Sequence, residues 1–318
     1  MTKPPISEII KDMLTSGKCL VIGANGFVGS HLVDELAEAG YAVRAFDRFS
    51  GPAQFKKSDQ VEVFVGDIFD DQAIHEALDG IDYVFHSFSA TTPFASDNDP
   101  YGDITLNMLR NVQIFEQCVE AKVKKVMFMS SGGAVYGTLS EHKEANEMDA
   151  PIPVSPYGIG KLGTEYYLAY FNRKYGMKSI SYRLTNPYGP RQPSHSKQGV
   201  IPIFIGKIKA GEDLTVYGDG TSSRDYIYIR DATKMIVESF VKAEHHTYNI
   251  GSGRQTNLNE IIESIEEATG LSAKVSHLEA PKTFLQNAQV SINRFTEEFG
   301  VVSNTALTDG LKKIISNL

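Results

Sequence analysis

The sequence predicts an α/β protein with a doubly wound parallel sheet and a smaller mixed α/β lobe at its C-terminal end. Short apolar runs alternate with amphipathic helical stretches as far as about residue 184, as β-α-β units with right-handed crossovers require. A glycine-rich turn joins the first apolar run directly to a helical pattern, and after Asn186 the alternation gives way to shorter strands with more glycine and proline.

In chain order, Ile6–Leu14 reads as a short surface helix, and Lys18–Gly23 as a buried strand. The turn Gly23-Ala-Asn-Gly26-Phe27-Val28-Gly29 leads into a helix over His31–Ala39 that Gly40 stops. A second strand, Tyr41–Phe46, ends in Asp47. Further strands are expected near 61–65, 82–86, 125–130 and 178–183, interleaved with helices near 70–79, 101–121 and 157–175. Residues 138–154, polar and then proline-rich, are too long for an idle connection and suit a loop close to a site. Beyond them come strands near 214–217 and 247–250 and helices near 199–210, 232–243, 257–269 and 305–316. The chain shows no internal repeat and no low-complexity tract.

A chain of 318 residues, 42% of them hydrophobic, can bury a substantial core in one large domain or two interlocked ones. A net charge of −8 argues against nucleic-acid or membrane-surface binding, while leaving room for a local basic pocket. Cys19 and Cys118 read as small core residues, and their scarcity suits a reducing cytoplasm. The first seventeen residues lack a signal-peptide pattern, and no apolar run is long enough to span a membrane. The histidines, among them His195, His245 and His246, show no metal-ligand spacing, so no metal is expected. No lysine followed by serine or threonine closes the glycine turn as in a kinase-type phosphate loop.

Tyr157 and Lys161 stand one helical turn apart, a spacing that sets an ammonium beneath a phenol. A free tyrosine has a pKa of roughly 10, so a fixed cation must favour the phenolate before it serves as a base. Tyr170 and Lys174 repeat the spacing, but lie about 140° around the helix and cannot share the site. The glycine turn supplies the context. Its glycines permit close backbone approach, and the helix N-terminus offers free N–H groups to a pyrophosphate. Asp47 lies near the offset of an acid that binds a ribose 2′-hydroxyl, which favours NAD, whereas the adjacent Arg48 could pair with the 2′-phosphate of NADP.

With these motifs in order the sequence resembles the extended short-chain dehydrogenase/reductase family, in its nucleotide-sugar epimerase branch. The resemblance runs from Lys18 over nearly the whole chain. It includes Gly66-Asp67-Ile68, Val84-Phe85-His86, Ser130 to Gly137, Arg183 to Pro190, and Tyr217 to Asp231. It implies that residues 1–184 form an NAD-binding Rossmann domain, rejoined by a return segment near 226–250, and that 185–318 form mainly an interleaved substrate lobe.

The resemblance also implies roles, residue by residue. Gly23, Gly26, Phe27, Val28, Gly29 and Asp47 would hold the dinucleotide, with Asp67 and Ile68 framing its adenine. Ser87, Phe88 and Ser89 would follow the fourth strand against the cofactor. Asn107 would tie the central helix to the active-site strand and approach the cofactor. Asn186 would contact the sugar diphosphate, Val200 and Pro202 would cover the nucleotide, and Val216 with Tyr217 would flank a pyrimidine base. Arg224 would bind two phosphate oxygens, as a guanidinium does better than an ammonium; the bland alternative is an ion pair with Asp225 or Asp231. Only Lys282 stands where a second arginine is usual. A homodimer through the helices near 101–121 and 157–175 is expected, with Tyr166, Tyr167, Tyr170 and Phe171 as packing residues.

The implied activity is 4-epimerisation of a UDP-hexose or its uronic or acetamido derivative through a transient 4-keto sugar. A 4-keto-deoxysugar reductase and a catalytically silent NAD-binding regulator are the alternatives. Dehydratases carry an Asp-Glu pair at the positions of Gly133 and Ala134, and decarboxylases a glutamate at Ala134, and neither is present. The family's third catalytic group, a serine or threonine, is replaced by Gly132. Ser131 or a bound water would then substitute, provided a turn at the glycine pair brings Ser131 inward.

Overall fold

Strand β1 (Lys18–Ile22) is buried at every position after its first, which demands neighbours on both edges and cover on both faces. In the computed structural model, which describes residues 17–137, 144–193, 199–280, 287–300 and 305–316, it has both. The strands follow as β2 (Ala42–Asp47), β3 (Val61–Val65), β4 (Tyr83–His86), β5 (Lys125–Ser131), β6 (Lys178–Leu184), β7 (Asn186–Tyr188), β8 (Asp213–Tyr217), β9 (Ser223–Tyr228) and β10 (Thr247–Ile250). The main sheet has seven strands in the order β10-β6-β5-β4-β1-β2-β3, every neighbouring pair parallel. The winding direction reverses between β1 and β4, which opens a crevice at the carboxyl ends of the strands.

Successive side chains of β1 enter different cores, as strand geometry requires. Cys19 and Val21 pack with Leu32, Phe85, Tyr182 and Phe240, whereas Leu20 and Ile22 pack with Phe46, Phe115, Phe128 and Phe171. The lobe has its own core, formed by Tyr188, Ile205, Leu214, Ile261 and Leu311. Its β9 pairs with β7, while β10 returns to the main sheet beside β6. No helix among the described residues is long and apolar enough to cross a membrane.

Most expected elements fall within a residue or two of those observed, but three differences stand out. The helix expected near 232–243 runs from Ile229 to Ser239, because β9 hands the chain straight into it at Tyr228. Strand β7 and the pairing segments Gln255–Asn257 and Asn287–Ala288 are two or three residues long, too short for any periodicity. The helix expected near 101–121 contains a π-helical stretch, Ile104–Leu109, between Pro100–Asp103 and Arg110–Glu120. The helix expected at Ile6–Leu14 lies outside the described residues.

A buried polar chain crosses the sheet toward the lobe. The Arg183 guanidinium meets the Glu165 carboxylate at 2.7 Å and donates to the Tyr136 hydroxyl at 2.8 Å. Tyr136 in turn donates to Asn249 at 2.8 Å, and Ser130 donates to Glu165. These groups fix the end of β5 against the helix Pro156–Tyr175 and strand β10.

Candidate active site

The crevice at the strand reversal is a cavity of about 980 Å³. The glycine turn forms its floor. Gly23 adopts φ 82°, and a Cβ on Gly29 would stand 2.0 Å from the Gly23 carbonyl oxygen, so both positions require glycine. The helix Phe27–Glu38 then starts at Gly26 with no side-chain cap, leaving its first N–H groups to a ligand. Phe27 and Val28 line the cavity with the glycines. The Asp47 carboxylate pins this turn by accepting from the Asn25 N–H at 2.9 Å and the Arg48 N–H at 2.7 Å. It also lines the cavity, and its oxygens retain lone pairs for hydroxyl donors. A bare helix N-terminus, a close-approach glycine cradle and a rim carboxylate fit a dinucleotide.

Ile68, Ser87, Phe88 and Ser89 line the same wall. Ser87 donates to the Ile22 carbonyl at 2.9 Å, tying β4 to β1. Asp67 does not line the cavity, because its carboxylate accepts the Phe69 N–H at 3.0 Å and closes the turn after β3. Asn107 is likewise absent from the lining. It reaches the segment after β4 rather than the active-site strand, accepting from the Ala90 N–H at 2.7 Å and donating to Thr91 at 2.8 Å.

Tyr157 and Lys161 face the cavity from the first turn and a half of the helix Pro156–Tyr175. Pro156 at the first helical position and the Ser155 hydroxyl, which accepts from the Gly158 N–H at 3.2 Å, start this helix at the cavity edge. Lys161 is buried and donates to the Met129 carbonyl at 2.9 Å. Its ammonium stands 5.6 Å from the Tyr157 ring centroid and 4.7 Å from that of Phe128. Burial lowers the Lys161 pKa to about 8 against the pull of Asp103 and Glu165. Burial first, and then Asp103, hold the Tyr157 phenol above its ordinary value. The ammonium is engaged by a backbone carbonyl, and the phenol makes no hydrogen bond with another described residue. The second pair behaves as expected, with Lys174 over the rings of Tyr170 and Tyr175 on the exposed face.

Where β5 ends, the chain turns into a short helix, Gly132–Val135, with Ser131 at its N-cap position. Ser131 lines the cavity, as do Gly133 and Ala134. Gly132 does not: a Cβ there would point at the Arg183 carbonyl oxygen, 3.0 Å away, and at Val290, 3.2 Å away. The substrate role expected of Gly132 is therefore corrected, since the turn aims it away from the cavity and leaves Ser131 facing in.

The lobe contributes Asn186 and Arg224 to the cavity. Asn186 donates to the Asp225 carbonyl at 2.9 Å, which braces it across β9. Burial lowers the Arg224 pKa. The Asp225 carboxylate accepts from Ser252 and Gly253, and that of Asp231 from Thr305. Val216 is buried in the lobe core, so its expected substrate contact is corrected: alternation along β8 turns 216 inward and 217 outward. Tyr217 is exposed outside the cavity lining, and Val200 packs against the lobe core one residue beyond the lining Gly199. Lys282 lies outside the described residues. Sequence reasoning missed Thr91, which lines the cavity, and the buried Asp103 behind it. Neither bears a spacing to Tyr157 or Lys161 that would single it out.

The fold and this cavity define the class, a dinucleotide-dependent α/β enzyme with a tyrosine–lysine pair at the mouth of its sheet. Residues 19–251 match the profile of the NAD dependent epimerase/dehydratase family, and the chain belongs to that family. NAD is its cofactor. It is 32% identical to a UDP-glucose 4-epimerase of Mycolicibacterium smegmatis, over 94% of this chain and 97% of that one. It is also 32% identical to a dTDP-4-dehydro-6-deoxyglucose reductase of Escherichia coli, over 94% and 96%. The fold superposes with a TM-score of 0.87 on the crystal structure of a Thermotoga maritima UDP-glucose 4-epimerase with UDP-glucose, at 32% identity over 94% of this chain and 97% of that one. The Thermus thermophilus UDP-glucose 4-epimerase in complex with NAD gives 0.87 at 28% identity, over 94% and 98%.

Proposed function

We propose that the protein is an NAD-dependent nucleotide-sugar 4-epimerase acting on a UDP-hexose or its uronic or acetamido derivative. The observation that carries this reading is the lining of one cavity by Tyr157, Lys161 and Ser131 beside the glycine turn, with no carboxylate at Gly133 or Ala134. Without an acid and base at those two positions, the cavity supplies proton transfer at one carbon and no elimination. Arg224 and Asn186 hold the diphosphate, and Asp47 the adenosine ribose. Tyr157 exchanges a proton with the sugar O4, Ser131 hydrogen-bonds the same oxygen, and Lys161 positions the nicotinamide ribose. Bound NAD supplies reversible two-electron chemistry at C4. Rotation of the 4-keto sugar between the two transfers inverts the centre.

The tested outcome is inversion at C4 in a panel of nucleotide sugars without added cofactor, followed by NMR. One finding favours a second reading: the similarity to a dTDP-4-dehydro-6-deoxyglucose reductase is as high, at 32% identity, as that to the 4-epimerases. Turnover that requires stoichiometric reduced cofactor would select it. Retention of NAD with no turnover on any sugar would point to a binding protein. The exposed Tyr101, Tyr166 and Tyr170 on the two long helices support a homodimer, for which sedimentation should give twice the chain mass of 35.0 kDa.

A further inference from the structure

Asp103 is a carboxylate with 1% of its surface exposed and no ion-pair partner within salt-bridge distance among the described residues. Such a group is costly unless it is hydrogen-bonded or does work on a neighbour. One oxygen accepts from the Thr91 hydroxyl and, at 2.9 Å, from the Asn107 amide. The other faces the helix that carries the tyrosine–lysine pair, where a Cβ on Gly160 would come within 2.4 Å of it. Positions 157, 160 and 161 share one helix face, so the carboxylate lies against the surface that presents both functional side chains. The π-helical turn Ile104–Leu109 begins directly after Asp103 and carries Asn107. Turns of this kind recur at functional sites.

We propose that Asp103 is a positioning residue of the Tyr157–Lys161 pair: its charge, lying against the helix turn that presents both side chains, holds Lys161 as the ammonium and leaves Tyr157 readier to take a proton than to give one. This rests on the reading of that pair as the proton-transfer centre. The other charged or titratable groups around the pair are Asp97 on the cavity rim, His86 beneath Lys161, and Glu165, which is neutralised by Arg183. Asp103 is thus the one buried carboxylate there without a partner cation other than Lys161 itself, among the described residues. In the reducing half-reaction the C4 carbonyl accepts a hydride from reduced nicotinamide, and its oxygen takes the Tyr157 proton. In the oxidising half both return. A charge that raises the proton affinity of Tyr157 makes it a stronger base toward O4 and a weaker donor to the ketone, so it favours the oxidising half and the bound 4-keto sugar.

The test is the ultraviolet tyrosinate titration of the NAD-loaded protein, with the Tyr157→Phe signal subtracted. Asp103→Asn keeps an acceptor for Thr91 and removes the charge, and should lower the Tyr157 titration by about one to three pH units. A Tyr157 titration that is unchanged, or absent from both proteins, overturns the proposal. Should circular dichroism show that Asp103→Asn does not fold, Asp103→Ser removes the same charge with less bulk and is read in the same way. During turnover, Asp103→Asn should accumulate less reduced-nicotinamide absorbance than the wild type, and more would count against the idea. The titration needs no sugar, so failure of the epimerase reading would leave it interpretable.

Discussion

Removing a single oxygen atom from Tyr157 is the sharpest change available. Tyr157→Phe should lower kcat by about 10²- to 10⁴-fold while NAD stays bound, because the glycine cradle is untouched. Ser131→Ala should cost about tenfold, the worth of one hydrogen bond that a water can partly replace. The two rates, measured on the same sugar, check both. Equal losses would mean that no water substitutes for Ser131. At this scale the pair itself was legible, since a fixed spacing beside a glycine turn survives as a pattern. Asp103 was not, because it is one acid among 39 acidic residues, and only the fold carries it to the pair. Val216 was misplaced for a simpler reason: which face of β8 is buried depends on the lobe helices that cover it.

Among the elements, strand β5 and the helix Pro156–Tyr175 owe their alignment to Glu165 and Arg183. Glu165→Gln leaves a guanidinium buried without its counter-charge and should destabilise the protein by about 3–5 kcal/mol, measured by urea denaturation. The main-sheet strands were readable as apolar runs because both faces of a parallel sheet are covered. Of the lobe strands β8 was readable as well, but β7 was not, since it has three residues and one buried side chain. Its pairing is dictated by β9, a partner distant in sequence, and local pattern carries no trace of it. The π-helical turn is equally silent in the sequence, being a matter of one extra residue in a helix of ordinary composition.

For the whole molecule, acid should be the vulnerable direction. His86 has no exposed surface, and burial followed by the Lys161 charge lowers its pKa to about 3. His31 is buried too, and lies at about 4 for the same first cause. Both are neutral when folded and take up a proton on unfolding, so their stabilisation is full above about pH 6.5 and is lost as the pH falls toward those values. Each contributes a slope of about 1.4 kcal/mol per pH unit. Asp225, raised to about 6 by burial, acts in the opposite sense below that pH and offsets one of the two. Thermal unfolding should therefore fall in temperature from pH 6.5 downward, and His86→Leu should flatten the slope. An unchanged slope would assign the acid sensitivity elsewhere.

The helix that carries the glycine turn is also fastened to the chain leaving β7. His31 donates to the Pro190 carbonyl at 3.0 Å, and Arg191 reaches Asp34 at 2.6 Å and the Ser30 carbonyl at 3.1 Å. A ligand that orders residues 186–191 should therefore order the turn as well. Reciprocity then requires that a nucleotide diphosphate tighten NAD by the same factor by which NAD tightens the nucleotide. Arg191→Ala should shrink that factor toward one in paired calorimetric titrations, with each ligand alone bound nearly as before. On the epimerase reading, a protein fastened in this way would keep its cofactor most firmly while a sugar is aboard, when losing it would strand a ketone.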